Sequence, residues 1–175
     1  IYGFEDPQTR HDNAVLLNVR SLEYQIEAID MLIENQKLKS KKKIELLAPA
    51  GSFEKAKIAF KYGADAIYCG TPKLSLRSRS ELGDDDLEKT IKYAHSIGKR
   101  VHVAINIFAW DETYEEIKKQ AADLDRLGVD AIIVADGGVV DIVREDAPNT
   151  EIHISTQANV TSLESAKFWN NQGAK

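Results

Sequence analysis

The sequence predicts an α/β fold, a parallel βα repeat that makes up the first five units of a TIM-type (β/α)8 barrel behind an N-terminal helical extension. Three observations carry this reading. From Ile44 onward short apolar runs alternate with longer segments of helical period. Gly63, Gly98, Gly128 and Gly173 each close a helical segment, where a left-handed cap is wanted. The stretches Gly63-Ala64-Asp65-Ala66-Ile67 and Gly128-Val129-Asp130-Ala131-Ile132 repeat one pattern at the start of two strands.

Taken in order, residues 1–20 show no sustained period and read as an extended arm. From Ser21, a good N-cap residue, Leu22, Ile26, Ile29 and Ile33 recur at steps of three and four and predict one amphipathic helix ending near Lys37. Residues 1–40 are therefore an extension, and residues 41–175 hold the repeat. Its apolar runs are 44–51, 64–70, 100–108, 130–138 and 151–159, with helices predicted near 52–62, 85–97, 112–127, 138–147 and 162–172. Continuous apolar strands separated by helices imply parallel pairing with both faces covered, because a parallel strand needs a crossover to bring the chain back. Asp85 with Glu88, Thr113 with Glu116 and Thr161 with Glu164 have capping-box spacing and mark three helix starts.

Five such units fit either an open doubly wound sheet or part of a barrel. Repeat length favours the barrel: at about 26 residues per unit, eight units need roughly 210 residues, within the barrel's usual range. The chain opens on Ile1 and stops at Gly173-Ala174-Lys175, where a sixth strand is the next element expected. It is thus expected to be a piece of a longer protein, poorly stable and inactive by itself, since an incomplete barrel leaves two sheet edges unpaired.

Composition narrows the function classes. The chain has 175 residues, one cysteine and a formal charge of −5. Cys69 alone makes no internal disulfide and holds neither a structural zinc nor an iron–sulfur cluster, so no cofactor is expected within this piece, and a reducing, cytoplasmic setting is. No apolar run approaches the ~20 residues of a membrane-spanning helix, and the opening lacks the order of a signal peptide. Basic residues cluster only locally, at Lys37, Lys39, Lys41, Lys42 and Lys43 and at Lys73, Arg77 and Arg79, so a nucleic-acid contact has to be a patch rather than a basic surface. The lysine run reads as a solvated linker. P-loop, GxGxxG, HExxH, GxSxG and CxxC motifs are absent.

In either architecture ligands bind at the C-terminal ends of the strands. Two strands carry polar residues at period two, His102 with Asn106 and His153 with Ser155 and Gln157, and these point away from the helices. His102 and His153, nearer the strand starts, read as satisfied core histidines. Asn106, Gln157 and Asn159, at or past the ends, are candidate site residues. Asp136, before Gly137-Gly138, is either a catalytic candidate or the cap of the next helix. Arg77 and Arg79 lie in the long connection 71–84 and suit an anionic ligand, carboxylate or phosphate. Cys69 reads as a buried small residue rather than a nucleophile.

Five ordered segments carry a family resemblance. They are Glu45-Leu46-Leu47-Ala48-Pro49-Ala50-Gly51-Ser52, Gly63 to Gly70, Val101 to Ile107, Gly128 to Asp136, and His153-Ile154-Ser155-Thr156-Gln157-Ala158-Asn159. Together they resemble the opening half of the peptidase U32 family over residues 43–175. The resemblance implies a TIM-type barrel and one of two activities: collagenase-like proteolysis of a peptide, or RNA hydroxylation, with tRNA wobble uridine converted to 5-hydroxyuridine using prephenate. It also implies an iron–sulfur cluster held by downstream cysteines of full-length relatives. Under the hydroxylase reading Arg77 and Arg79 hold the carboxylates of a prephenate-like acid or an RNA phosphate, and Asn106, Gln157 and Asn159 orient the substrate. A third reading makes this segment scaffold for groups supplied elsewhere.

Overall fold

The computed structural model describes residues 44–72, 74, 75 and 82–175. The chain divides into two units, and the second, Glu45–Lys175, holds every element named below. The predicted arm and helix of residues 1–40, the lysine run, Lys73, Arg77 and Arg79 lie outside the described residues.

Five strands form one parallel sheet in the order β1 (Leu47–Pro49), β2 (Ala66–Gly70), β3 (Arg100–Ile105), β4 (Ala131–Val134) and β5 (Glu151–Ile154). The helices between and after them are α1 (Phe53–Lys61), α2 (Asp84–Ser96), α3 (Tyr114–Leu127), α4 (Gly137–Asp146) and α5 (Leu163–Asn171). Each strand lies beside its sequence neighbour. A doubly wound sheet instead reverses its strand order at a switch point, so the sheet is singly wound, as consecutive units of a barrel are. At the β5 edge Ala174 already bridges Ile152 in parallel, and Lys175 N donates to Ile152 O at 2.9 Å.

Strand alternation separates two faces. Ile67, Cys69, Val101, Val103, Ile105, Ile132, Val134 and Ile152 pack with Ala56, Phe60, Leu87, Ile91, Ile117, Leu124, Val140 and Val143 of the helices as one buried apolar cluster. This layer is the core, and its burial is the main stabilising term. The opposite parity, with Arg100, His102 and His153, forms the other face of the sheet. Among the described residues no helix is long and apolar enough to cross a membrane.

The repeated Gly-x-Asp-Ala-Ile pattern has a direct structural meaning. Asp65 N donates to Leu46 O at 2.8 Å while Leu46 N donates back to Asp65 Oδ2 at 3.1 Å. Asp130 does the same with Val101, N to O at 3.0 Å and Val101 N to Oδ2 at 2.7 Å. The carbonyl of each aspartate then accepts from the first residue of the next strand, Arg100 N and Glu151 N. One residue type thus ties three consecutive strands at their N-terminal ends. The glycine two positions earlier has φ +101° at Gly63 and +80° at Gly128, which a side chain would resist. Gly98 and Gly173 also have positive φ, as expected of helix ends.

The three capping boxes do not form. Gly83 precedes α2 without a side-chain bond, and Ser162 rather than Thr161 caps α5, accepting from Ser165 N at 3.1 Å. Thr113 turns its hydroxyl back to Trp110 instead, because the chain makes a 3-10 turn at Asp111–Thr113 before α3 begins.

Candidate functional site

At the C-terminal end of the sheet, β3 runs into Asn106, and the chain after β5 makes a 3-10 turn over Thr156–Ala158. The sequence pattern read Gln157 as a strand residue in step with His153. In fact β5 ends at Ile154, and the turn rather than the pleat brings Gln157 to Asn106. Asn106 Nδ2 donates to Gln157 Oε1 at 2.6 Å, and Ser155 Oγ donates to the same oxygen at 3.2 Å. Ser155 Oγ in turn accepts from Gln157 N at 3.3 Å. Asn106 and Ser155 are buried, and Gln157 is exposed. Two buried groups thereby fix the amide of a solvent-facing one.

Asn106 and Gln157 line a cavity of about 220 Å³ together with Phe108, Trp110 and Asp136. Phe108 and Trp110 are 72% and 68% exposed, so two aromatic faces stand at its rim. Sequence reasoning passed over both, although two aromatics within five positions of a strand's C-terminal end are a visible signal. Trp110 is held firmly: Thr113 Oγ1 accepts from Trp110 N at 3.1 Å and donates to Trp110 O at 2.8 Å, and Thr113 N donates to Trp110 O at 2.8 Å.

Asp136 is the cap of α4. Its Oδ1 accepts from Gly138 N at 2.8 Å, from Val139 N at 3.2 Å and from Tyr114 Oη at 3.3 Å. A helix N-terminus stabilises a carboxylate, and one so engaged is a structural anchor on the cavity wall. Burial, and then the charge and hydrogen bond of Asp136, hold the Tyr114 phenol above its ordinary pKa. A Cβ at Gly138 would lie 2.5 Å from Tyr114 Oη, so any larger residue there has to displace the tyrosine hydroxyl from Asp136.

Asn159 does not join this group. It is exposed, caps the 3-10 turn at φ +53° and ψ +43°, a conformation Asn tolerates, and is not among the residues lining the cavity. Arg77 and Arg79 remain outside the described residues. Described parts of the connection that carries them reach the site: Leu82 N donates to Gly70 O, and Asn106 N donates to Leu74 O, with both leucines buried.

The N-terminal end of the same face is charged. Arg100 donates to Glu151 Oε2 at 2.6 Å and to Glu45 Oε2 at 3.2 Å, with Asp130 Oδ1 at 3.9 Å. Partial burial works against the Glu151 carboxylate, yet the Arg100 bond holds its pKa below the usual value. Just above lies His102, fully buried, its ring edge-on to His153 at 4.7 Å. Burial first, then the His153 and Arg100 charges, push His102 down to about 4. The expectation of a satisfied histidine fails here: neither ring nitrogen has a hydrogen-bond partner, and the nearest carboxylate oxygen, Glu45 Oε1, is 3.7 Å from Nε2. The strand pleat, which sets its direction, leaves it beside another imidazole, with the Glu45 carboxylate just beyond hydrogen-bond reach.

Among the described residues, Cys69 and Ser155 are otherwise engaged. Cys69 is fully buried, donates to His102 O at 3.8 Å, and burial pushes its thiol up to about 12. Ser155 donates to an amide rather than to a base. Among the described residues no group of three or more His, Cys, Asp or Glu is placed to hold a metal ion, and one buried thiol does not fit an iron–sulfur cluster.

A model of Peptidase family U32 matches residues 51–175. The chain is 41% identical over 132 residues to tRNA hydroxylation protein P of Haemophilus influenzae, covering 75% of this chain and 29% of that protein. It is 37% identical over 142 residues to tRNA hydroxylation protein P1 of Bacillus subtilis, covering 81% and 34%. It is 34% identical over 134 residues to a 23S rRNA 5-hydroxycytidine synthase of Escherichia coli, covering 77% and 20%. The chain therefore spans no more than 34% of the length of these relatives. A solved U32 peptidase superposes with a TM-score of 0.63 at 18% identity, covering 78% of this chain and 58% of that one, which supports the fold alone. With the family model spanning most of the sheet and its helices, the chain belongs to Peptidase family U32.

Proposed function

We propose that the full-length protein modifies RNA, hydroxylating a tRNA base, and that this chain supplies the substrate-facing end of its barrel. The observation that carries the reading is the cavity itself: neutral amides, Asn106 and Gln157, set between exposed aromatic rings at the C-terminal strand ends. Such a site binds a flat, hydrogen-bonding ring, and it offers no activated nucleophile. The names of the relatives support it, since two are tRNA hydroxylation proteins and one a 5-hydroxycytidine synthase. A base acted on by an enzyme has to leave its stack, which suits an open rim. In this reading Arg77 and Arg79 bind the carboxylates of a prephenate-like acid, and any cluster of the full-length protein takes its thiolates from outside this chain, whose one cysteine is buried.

Mass spectrometry of tRNA nucleosides from a deletion strain tests it. Loss of 5-hydroxyuridine on deletion, restored by the full-length gene, is the expected result; unchanged modification in a strain without a paralogue overturns the proposal. Full-length protein carrying Arg77→Ala should fold and fail to restore the nucleoside except at raised supply of the acid.

A further inference from the structure

Resting on that RNA reading, we infer that Trp110 and Gln157 form a reader for a single unstacked pyrimidine, in which the indole stacks on the base and the Gln157 amide N–H groups select a carbonyl at its edge. The cavity, about 220 Å³, falls below the ~300 Å³ at which drug-sized pockets begin, so its natural occupant is one heterocycle rather than a stacked pair. The rim supplies the stacking surface, and Trp110 is the better of its two aromatics because Thr113 clamps its backbone on both sides. With its backbone fixed, the residue has only its two side-chain torsions left to lose when a base lands on the ring.

The selectivity follows from which end of Gln157 is spent. Its Oε1 accepts from both Asn106 Nδ2 and Ser155 Oγ, and both donors are buried and fixed. The Gln157 amide turns over only if the Asn106 amide turns with it and the Ser155 hydroxyl reverses from donor to acceptor. Its Nε2 donates to no described residue, so the side chain presents donors only. Uracil offers a carbonyl acceptor at position 4, where cytosine offers an amino donor. A fixed donor therefore favours uracil there and meets cytosine donor to donor, a mismatch whose cost is felt because the site's polar groups are then left unpaired.

The experiment uses the full-length protein and short fluorescent single-stranded RNA oligonucleotides that differ only at the central nucleotide: uridine, cytidine or abasic. The wild type should bind the uridine form about tenfold more tightly than the cytidine form, the scale of one good base-edge contact. Gln157→Glu, which replaces donors by acceptors, should reverse that order. Trp110→Ala should weaken both base-bearing forms about tenfold and leave the abasic form unchanged, with Trp110→Phe restoring most of the loss. Equal affinity of wild type and Gln157→Glu for uridine and cytidine overturns the edge reading, and a Trp110→Ala variant that binds like wild type overturns the stacking. Either result with 5-hydroxyuridine still lost on gene deletion leaves RNA modification standing and removes only this site assignment. Trp110 is mostly exposed, so a melting curve of the alanine variant should match the wild type.

Discussion

The two ends of one sheet face are built from different chemistry. At the N-terminal end Glu45, Glu151 and Asp130 converge on Arg100, so that one guanidinium links neighbouring segments through charge. At the C-terminal end the one carboxylate, Asp136, is spent on capping a helix, and the pairing among Asn106, Ser155 and Gln157 is between neutral groups and engages only the Gln157 amide oxygen, beside two exposed rings. A closed network spends its hydrogen-bonding capacity on holding strands together. An open one holds a side chain still for something else to bind. In a barrel the first belongs to stability and the second to function.

Acidification should break the closed end most. His102 is held neutral, at about 4 against an ordinary 6.5, so the unfolded chain takes up a proton that the folded chain refuses. Its contribution is whole above pH 6.5 and is lost as pH falls toward 4. The depressed Glu151 carboxylate also loses its contribution as pH falls, but only below its ordinary range near 4.5. Between pH 6.5 and 4.5 the slope of stability therefore reports His102, and should amount to about 2 to 3 kcal/mol. Urea denaturation of full-length wild type and His102→Leu across that window checks this, with the variant expected to be flat; parallel curves would refute it.

Asp130→Ala comes next. It leaves the buried Val101 N–H without an acceptor and should cost about 2 kcal/mol, while RNA product per folded molecule stays at the wild-type level. A smaller loss for Asp130→Asn, which keeps one acceptor, would sharpen the assignment to that single bond. At the open end the order of effects inverts. Asn106→Leu removes the donor that orients Gln157 and should lower product formation by about tenfold, with the thermal midpoint nearly unmoved. Product at the wild-type level in that variant would make the amide pair structural and erase the contrast between the two ends.

The fold was legible because it repeats. Apolar runs, helix-closing glycines and the doubled Gly-x-Asp-Ala-Ile pattern each report one local requirement, and the same requirement recurs in each unit. Helix caps were less legible: Thr113 has the right spacing to Glu116 for a cap, yet its hydroxyl bonds more closely to Trp110. The site was half legible. Asn106 lies just past a true strand, so alternation placed it correctly. Gln157 reaches it through a turn that alternation does not describe, and Asn159, two residues further on, is carried out of the group. Phe108 and Trp110 follow a strand end in a loop, where no periodicity exists to mark them.

The sheet's strand order has a consequence for synthesis. Because β2 to β5 each pair with the strand before them, each meets an edge that has already left the ribosome. At roughly 5 to 20 residues per second, a strand and its helix emerge over a few seconds, long compared with the microsecond to millisecond steps of local structure formation. The aspartate ties at the strand starts make each addition register-specific as it arrives. The sheet can grow by accretion, one unit at a time, at the edge opposite β1.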